Sequence, residues 1–291
     1  MRIVREVERA RGLTRAEFEA RFERLDRPVV LEGGAADWPA TRTWNEASLR
    51  ARLGDTVAAF KQSSTHQHPD FHQTSLGAMF ARRSGTFGEF FDAILQGPPK
   101  LRAQHIFTGD EEFVLQRRGG VTRENAAFLP LYRDTELPPL FSPERLYTVW
   151  AWFSGAGPRT WLHYDNNGCH NLNAQILGRK ECLLFAPSEL ERTYPFELGG
   201  RNPAHNCCAV DVDAPDLALH PRFVDAQAEH AELGPGDLLF IPAWWLHTFS
   251  HLGALNANVN FWWKPEGARN NAVSRWQELV DAHLRAKQHA D

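Results

Sequence analysis

No stretch of this 291-residue chain approaches the run of about 18 apolar residues that a membrane-spanning helix needs. Long basic runs are missing too, and the formal charge is −4, so there is no electrostatic footprint for nucleic acid. The opening MRIVREVERARGLTRAEF lacks the apolar centre of a signal peptide. Cysteine is scarce. Cys169, Cys182, Cys207 and Cys208 form no C-x-x-C pair and no disulfide framework, which fits a reducing compartment. Low-complexity segments and internal repeats are absent. These gaps lead us to expect a cytoplasmic protein with neither a membrane nor a nucleic-acid partner.

What is present suits a globular enzyme or binding protein. Hydrophobic residues make up 43% and charged residues 23% of the chain. Three capping-box patterns announce helices near the start: Thr14-x-x-Glu17, Thr43-x-x-Glu46 with Gly54 as its stop, and Thr86-x-x-Glu89 with Gly97 as its stop. Arg27–Glu32 reads as a short buried strand. Residues 98–145 read as an irregular surface excursion. From Leu146 to Trp263 the pattern is strongly β. Tyr147–Phe153, Asn171–Ile176, Glu181–Phe185, Asp237–Ile241 and Asn256–Phe261 are strands, with Gly178-Arg-Lys180 turning the second into a hairpin with the third. Many short strands with Gly/Pro turns predict a sandwich, barrel or jelly roll. In the tail, Val273, Trp276, Val280 and Leu284 form one helical stripe, which either packs back on the body or pairs with a second copy.

Thirteen His and 36 acidic residues predict about 1.6 His-x-Asp/Glu matches by chance. Four occur: His68/Asp70, His163/Asp165, His230/Glu232 and His289/Asp291. Two imidazoles and one carboxylate can hold Fe(II) on one face and leave the other open. Only His163/Asp165 lies between strand signals and has a third candidate in strong context, His247 after Gly234–Ile241 and a Pro-bounded loop. Asn171, Asn173 and Gln175 share one strand face, and Asn256, Asn258 and Asn260 another. Such stripes are either solvated or line a polar pocket. The 10 tryptophans are likewise either core filler or pocket wall, and Trp150, Trp152, Trp161, Trp244, Trp245 and Trp262 lie in or beside the candidate site regions.

Thr160–Asp165, Asn171–Lys180, Gly234–His247 and Asn258–Lys264, in this order, resemble the cupin-like, JmjC-type 2-oxoglutarate oxygenases, with the asparaginyl hydroxylases of hypoxia-inducible factor as the nearest likeness. Pro28–Gly33 and Asp37–Trp44 are similar to that family's opening, and the likeness is thin between about 60 and 140. The resemblance implies a mainly β fold with flanking helices around a double-stranded β-helix (jelly-roll, cupin-like) core. We expect one domain over 1–291: a mixed α/β elaboration at 1–145, the core at 146–264 and a C-terminal helix at 268–288 that forms a homodimer. It also implies an Fe(II)- and 2-oxoglutarate-dependent hydroxylase that uses O2, inserts oxygen into a C–H bond of a protein side chain or small molecule, and releases succinate. His163, Asp165 and His247 would ligate iron, and Lys180 and Thr160 would hold the distal carboxylate of 2-oxoglutarate. Asn171, Asn258 and Asn260 would line the cosubstrate pocket, and Trp262 would bound the substrate. The stretch from His163 to Lys180 is two residues longer than in the asparaginyl hydroxylases, a difference assigned to Asn166–His170. The family's cosubstrate-holding tyrosine has no direct match; Phe128, Tyr132 and Tyr147 are the candidates. The alternatives are a non-catalytic cupin-like binding protein and a metal-dependent cupin enzyme that does not use 2-oxoglutarate.

Overall fold

The structure is a computed structural model that describes residues 1–63, 80–96, 105–109, 129–157, 159–165, 168–196 and 206–266. Its strands are β1 (Arg2–Glu6), β2 (Arg9–Ala10), β3 (Val29–Leu31), β4 (Val57–Ser63), β5 (Phe80–Thr86), β6 (His105–Gly109), β7 (Leu146–Gly157), β8 (His170–Leu177), β9 (Lys180–Phe185), β10 (Gln227–Leu233), β11 (Leu238–Ile241) and β12 (Leu246–Trp263). The larger layer runs β2-β3-β11-β8-β12-β7-β6-β4-β5, and β1-β10-β9 joins it through β12. β12 serves both layers. Leu246–His251 pair with β9, whereas Ala257–Trp263 pair with β7 and β8. A register shift between His251 and Leu255 marks the bend. The result is the strand-rich, curled sheet of a jelly roll with flanking helices, as expected. Among the described residues no helix is long and apolar enough to cross a membrane.

Period-2 alternation decides what each strand shows to either side. Leu172, Ala174 and Ile176 of β8, and Val259, Phe261 and Trp263 of β12, enter one apolar core with Phe18, Phe22, Trp38 and Trp44 from the N-terminal segments. Trp263 is fully buried, stacked on Phe141 at 4.2 Å and on Phe240 at 5.6 Å. Truncating such an indole costs about 3–5 kcal/mol. The opposite face of the same strands carries the asparagines.

Two of the three expected caps form as read. Thr14 Oγ1 accepts from Glu17 N–H and the Glu17 carboxylate from Thr14 N–H, at the start of a helix Arg15–Phe18 that continues as a π-turn to Glu23. Thr86 and Glu89 make the same exchange before Phe87–Gln96. The middle cap shifts. Pro39–Thr43 closes its own helical turn and Thr43 Oγ1 donates to Pro39 O, so Asn45 caps Glu46–Leu53 through Ser48.

Two further expectations are corrected. The excursion over 98–145 contains β6, which pairs with β7 and extends the larger layer toward β4 and β5. The β8–β9 hairpin does not form. β8 pairs with β11 and β12, and β9 with β10 and β12, so Gly178 sends the chain from one layer to the other. Gly178 has φ +75°, and a Cβ there would lie 2.6 Å from Leu255 O and against the Asn256 side chain. Only glycine fits this corner. The tail helix at 268–288 lies outside the described residues.

Candidate active site

A cavity of about 230 Å³ opens between the two layers. His163 and His247 meet at one side of it through paired backbone hydrogen bonds: His163 N–H donates to His247 O at 3.1 Å, and His247 N–H to His163 O at 2.7 Å. Asp165 Oδ1 lies 4.0 Å from Nε2 of each ring. One donor atom from each of the three residues falls within 4.8 Å of the others. Among the described residues no other three His, Cys, Asp or Glu converge in this way.

The donor set suits a divalent metal. His163 Nδ1 faces Trp161 O at 2.8 Å and His247 Nδ1 faces Trp245 O at 3.1 Å. A carbonyl only accepts, so each Nδ1 carries a proton and each ring turns its Nε2 toward Asp165. Burial, followed by the proximity of His163, pushes the His247 pKa down to about 4, which keeps that ring neutral. Burial opposes ionisation of Asp165. His247 and His163, with N–H donors from Trp262 and Asn171, outweigh it and hold the carboxyl below its ordinary range.

Lys180 begins β9 and shares a face with Cys182 and Leu184, which points it between the layers. It is 1% exposed. Its Nζ donates to Asn173 Oδ1 at 2.6 Å and sits 4.5 Å from the centre of the Phe249 ring. Among the described residues it has no carboxylate partner within salt-bridge distance. Burial therefore pushes its pKa down to about 7. A buried ammonium that faces a cavity with an amide and a ring as its neighbours could pair an anion there. Thr160 also lines this end, its Oγ1 held by Phe249 N–H at 2.8 Å.

The two polar stripes are buried rather than solvated. Asn171, Asn173, Asn258 and Asn260 line the cavity, while Gln175 and Asn256 sit at the Gly178 corner. Trp262 lines the cavity and donates Nε1–H to Asp165 Oδ2 at 2.8 Å. Trp152 and Trp161, two of the tryptophans in the candidate site regions of the sequence, complete an aromatic wall with Phe249, which the sequence did not single out. For Phe249 the clue was its position two residues after His247 on an alternating strand.

Two of the candidates for the cosubstrate-holding tyrosine leave the site. Tyr132 is buried in the apolar core, its hydroxyl accepting from Ala151 N–H at 3.0 Å. Tyr147 is 50% exposed beneath Lys264. Neither lines the cavity, and Phe128 lies outside the described residues. His170 is fully buried at the start of β8: Nδ1 accepts from Ala243 N–H at 3.0 Å, and Nε2 lies 3.5 Å from Glu23 Oε1. It braces the segment before His247 and does not face the cavity. The four cysteines are buried and form no disulfide.

Residues 15–269 match the family described as a cupin-like domain. The chain is 31% identical over 243 residues to tRNA wybutosine-synthesizing protein 5 of Danio rerio, covering 82% of this chain and 69% of that protein. It is 28% identical over 246 residues to lysine-specific demethylase 8 of Xenopus tropicalis, covering 81% of this chain and 48% of that protein. The chain thus spans about half the length of that demethylase. A solved structure of ycfD from E. coli aligns with a TM-score of 0.47 and 17% identity, over 95% of this chain and 58% of that one.

Proposed function

The chain belongs to the cupin-like domain family, and on that premise we propose that it is an Fe(II)- and 2-oxoglutarate-dependent hydroxylase acting on a protein side chain or a small molecule. The carrying observation is the buried Lys180 ammonium, which faces the same cavity as the His163/Asp165/His247 cluster with no carboxylate to pair it among the described residues. Iron, 2-oxoglutarate and O2 together supply the oxidising chemistry, by which one oxygen atom enters a substrate C–H bond and the cosubstrate becomes succinate and CO2.

The chain's own residues do the rest. His163, Asp165 and His247 hold the metal from one side and leave the cavity side open. Lys180 and Thr160 take the distal carboxylate, which makes the buried charge favourable. Asn171, Asn258 and Asn260 form a floor of fixed amide dipoles. Trp152, Trp161 and Trp262 exclude water from the reacting centre.

The test is coupled turnover: 2-oxoglutarate consumed, O2 taken up and succinate formed with added Fe(II) and candidate substrates. His163→Ala abolishes all three. Full activity in Lys180→Ala would instead support a metal enzyme that does not use 2-oxoglutarate. Absence of metal- and 2-oxoglutarate-dependent O2 uptake across peptide, amino-acid and metabolite pools would support a binding protein. The relative named for tRNA wybutosine synthesis supports an RNA substrate as the second reading. The formal charge of −4 favours the first, and a tRNA mobility shift at physiological salt separates them. A homodimer through residues 268–288 belongs to the same proposal, and a monomeric mass in solution overturns it.

A further inference from the structure

An unbroken row of amides joins Lys180 to Asp165. Lys180 Nζ donates to Asn173 Oδ1 at 2.6 Å. Asn173 Nδ2 donates to Asn260 Oδ1 at 3.4 Å, and Asn260 Nδ2 to Asn171 Oδ1 at 2.8 Å. Asn171 Nδ2 completes the row on Asp165 Oδ2 at 2.9 Å. Asn258 Nδ2 adds a second donor to Asn260 Oδ1 at 2.5 Å. Every link points the same way, so the amide dipoles run head to tail from the ammonium to the carboxylate. Lys180 and all four asparagines are buried. In such a dry setting, linked hydrogen bonds polarise one another. No amide can turn alone: a reversed Asn173 would set its NH2 against the ammonium and its carbonyl against that of Asn260.

In the ligand-free site this row lets the two opposite charges compensate each other. A cation on Asp165 Oδ1 draws charge from the carboxylate and leaves Lys180 less compensated. An anion on Lys180 leaves Asp165 less compensated. Each event therefore makes the other end a better binding site. We propose that the row through Asn173, Asn260 and Asn171 couples a divalent cation at Asp165 to a carboxylate at Lys180, beyond any direct contact between the two ligands, with Asn173 as the positioning residue. This rests on Lys180 being the carboxylate anchor and Asp165 a metal ligand.

The coupling is the ratio of Mn²⁺ dissociation constants without and with saturating glutarate, a dicarboxylate that lacks the keto acid needed for chelation. Calorimetry or the electron-spin signal of free Mn²⁺ measures both. We expect a wild-type ratio of about fivefold or more, within the usual range for linked sites. Asn173→Leu and Asn260→Leu, which cut the row, bring the ratio below half of wild type while Mn²⁺ still binds. A lowered ratio in variants that still bind glutarate on its own separates a relay from a merely structural role. Asn173→Ser, too short to reach both neighbours, replaces any leucine variant that fails to fold. A ratio unchanged from wild type in these variants overturns the row alone. Failure of the wild-type protein to bind Mn²⁺ overturns it together with the metal reading.

Discussion

Trp262 and Asn171 converge on one oxygen of Asp165: the indole N–H reaches Oδ2 at 2.8 Å and the amide N–H at 2.9 Å. The other oxygen, Oδ1, is the one 4.0 Å from both imidazoles. The carboxylate is thus divided, one oxygen held by donors and the other left for the proposed metal. Trp262→Phe keeps the ring and removes the donor. A hydrogen bond to a charged group is worth about 1.5–3 kcal/mol, and removing such an outer partner costs about 10- to 100-fold in metal affinity. Calorimetric titration with Mn²⁺ reads this. Equal affinity in variant and wild type would show that Trp262 only fills space.

Lys180 predicts a pH dependence. Its folded pKa of about 7 lies below the ordinary 10.5, so between those values the unfolded chain binds more protons and stability rises with pH. The cost of burying the ammonium is fully present below about pH 7 and fades as pH climbs toward 10.5. Lys180→Met should therefore stabilise the ligand-free protein below pH 7 and lose that advantage at higher pH. The magnitude is a few kcal/mol at most, since each pKa unit is worth about 1.4 kcal/mol. Denaturant melts at pH 6 and pH 9 decide it; equal gains at both would refute the charged-lysine account.

Ligand binding carries the opposite sign. A carboxylate needs the ammonium, so above pH 7 its binding takes up a proton. Glutarate affinity should fall by up to about tenfold per pH unit above 7, until pH meets the pKa of Lys180 in the complex. A flat profile from pH 6 to 9 would place the anion elsewhere.

Gly178→Ala should be among the most damaging substitutions in the chain. Its φ of +75° disfavours any side chain, and its Cβ would meet Leu255 O at 2.6 Å. Strain of about 1–3 kcal/mol from the backbone adds to the displaced corner, which also carries Lys180. Loss of at least 2 kcal/mol in urea unfolding, with weakened glutarate binding, is the expected outcome. A fully stable variant would mean that the β8–β9 corner yields without cost.

His170→Leu leaves the Ala243 N–H without its acceptor and removes the ring beside Glu23. Such buried groups cost about 1–3 kcal/mol each. Stability should drop, while KM for any substrate found stays near wild type because the ring does not line the cavity. A changed KM at unchanged stability would show that His170 acts on the substrate.

Much of the site is legible in the sequence. His163, Asp165, His247, Thr160, Lys180 and Trp262 are singled out there, and the structure sets all six around one cavity. Strand alternation also says that Asn171 and Asn173 share a face with each other, as do Asn258 and Asn260. Pattern could not decide which face water sees, because that depends on how the layers close. For the same reason the hairpin reading of Gly178 failed: a turn signal is local, whereas the partner of β9 is set by the bend in β12, some 70 residues away in sequence.

The sequence alone determined the chemistry available: which side chains can ligate, donate or carry charge, and the period that sorts them onto faces. The tertiary structure alone decided that Lys180 is buried with no carboxylate partner among the described residues, that Tyr132 lies in the core and outside the site, and that three asparagines link the Lys180 ammonium to the Asp165 carboxylate. Those facts rest on distances between residues far apart in the chain. Such distances are products of sheet closure and burial, and no local pattern encodes them.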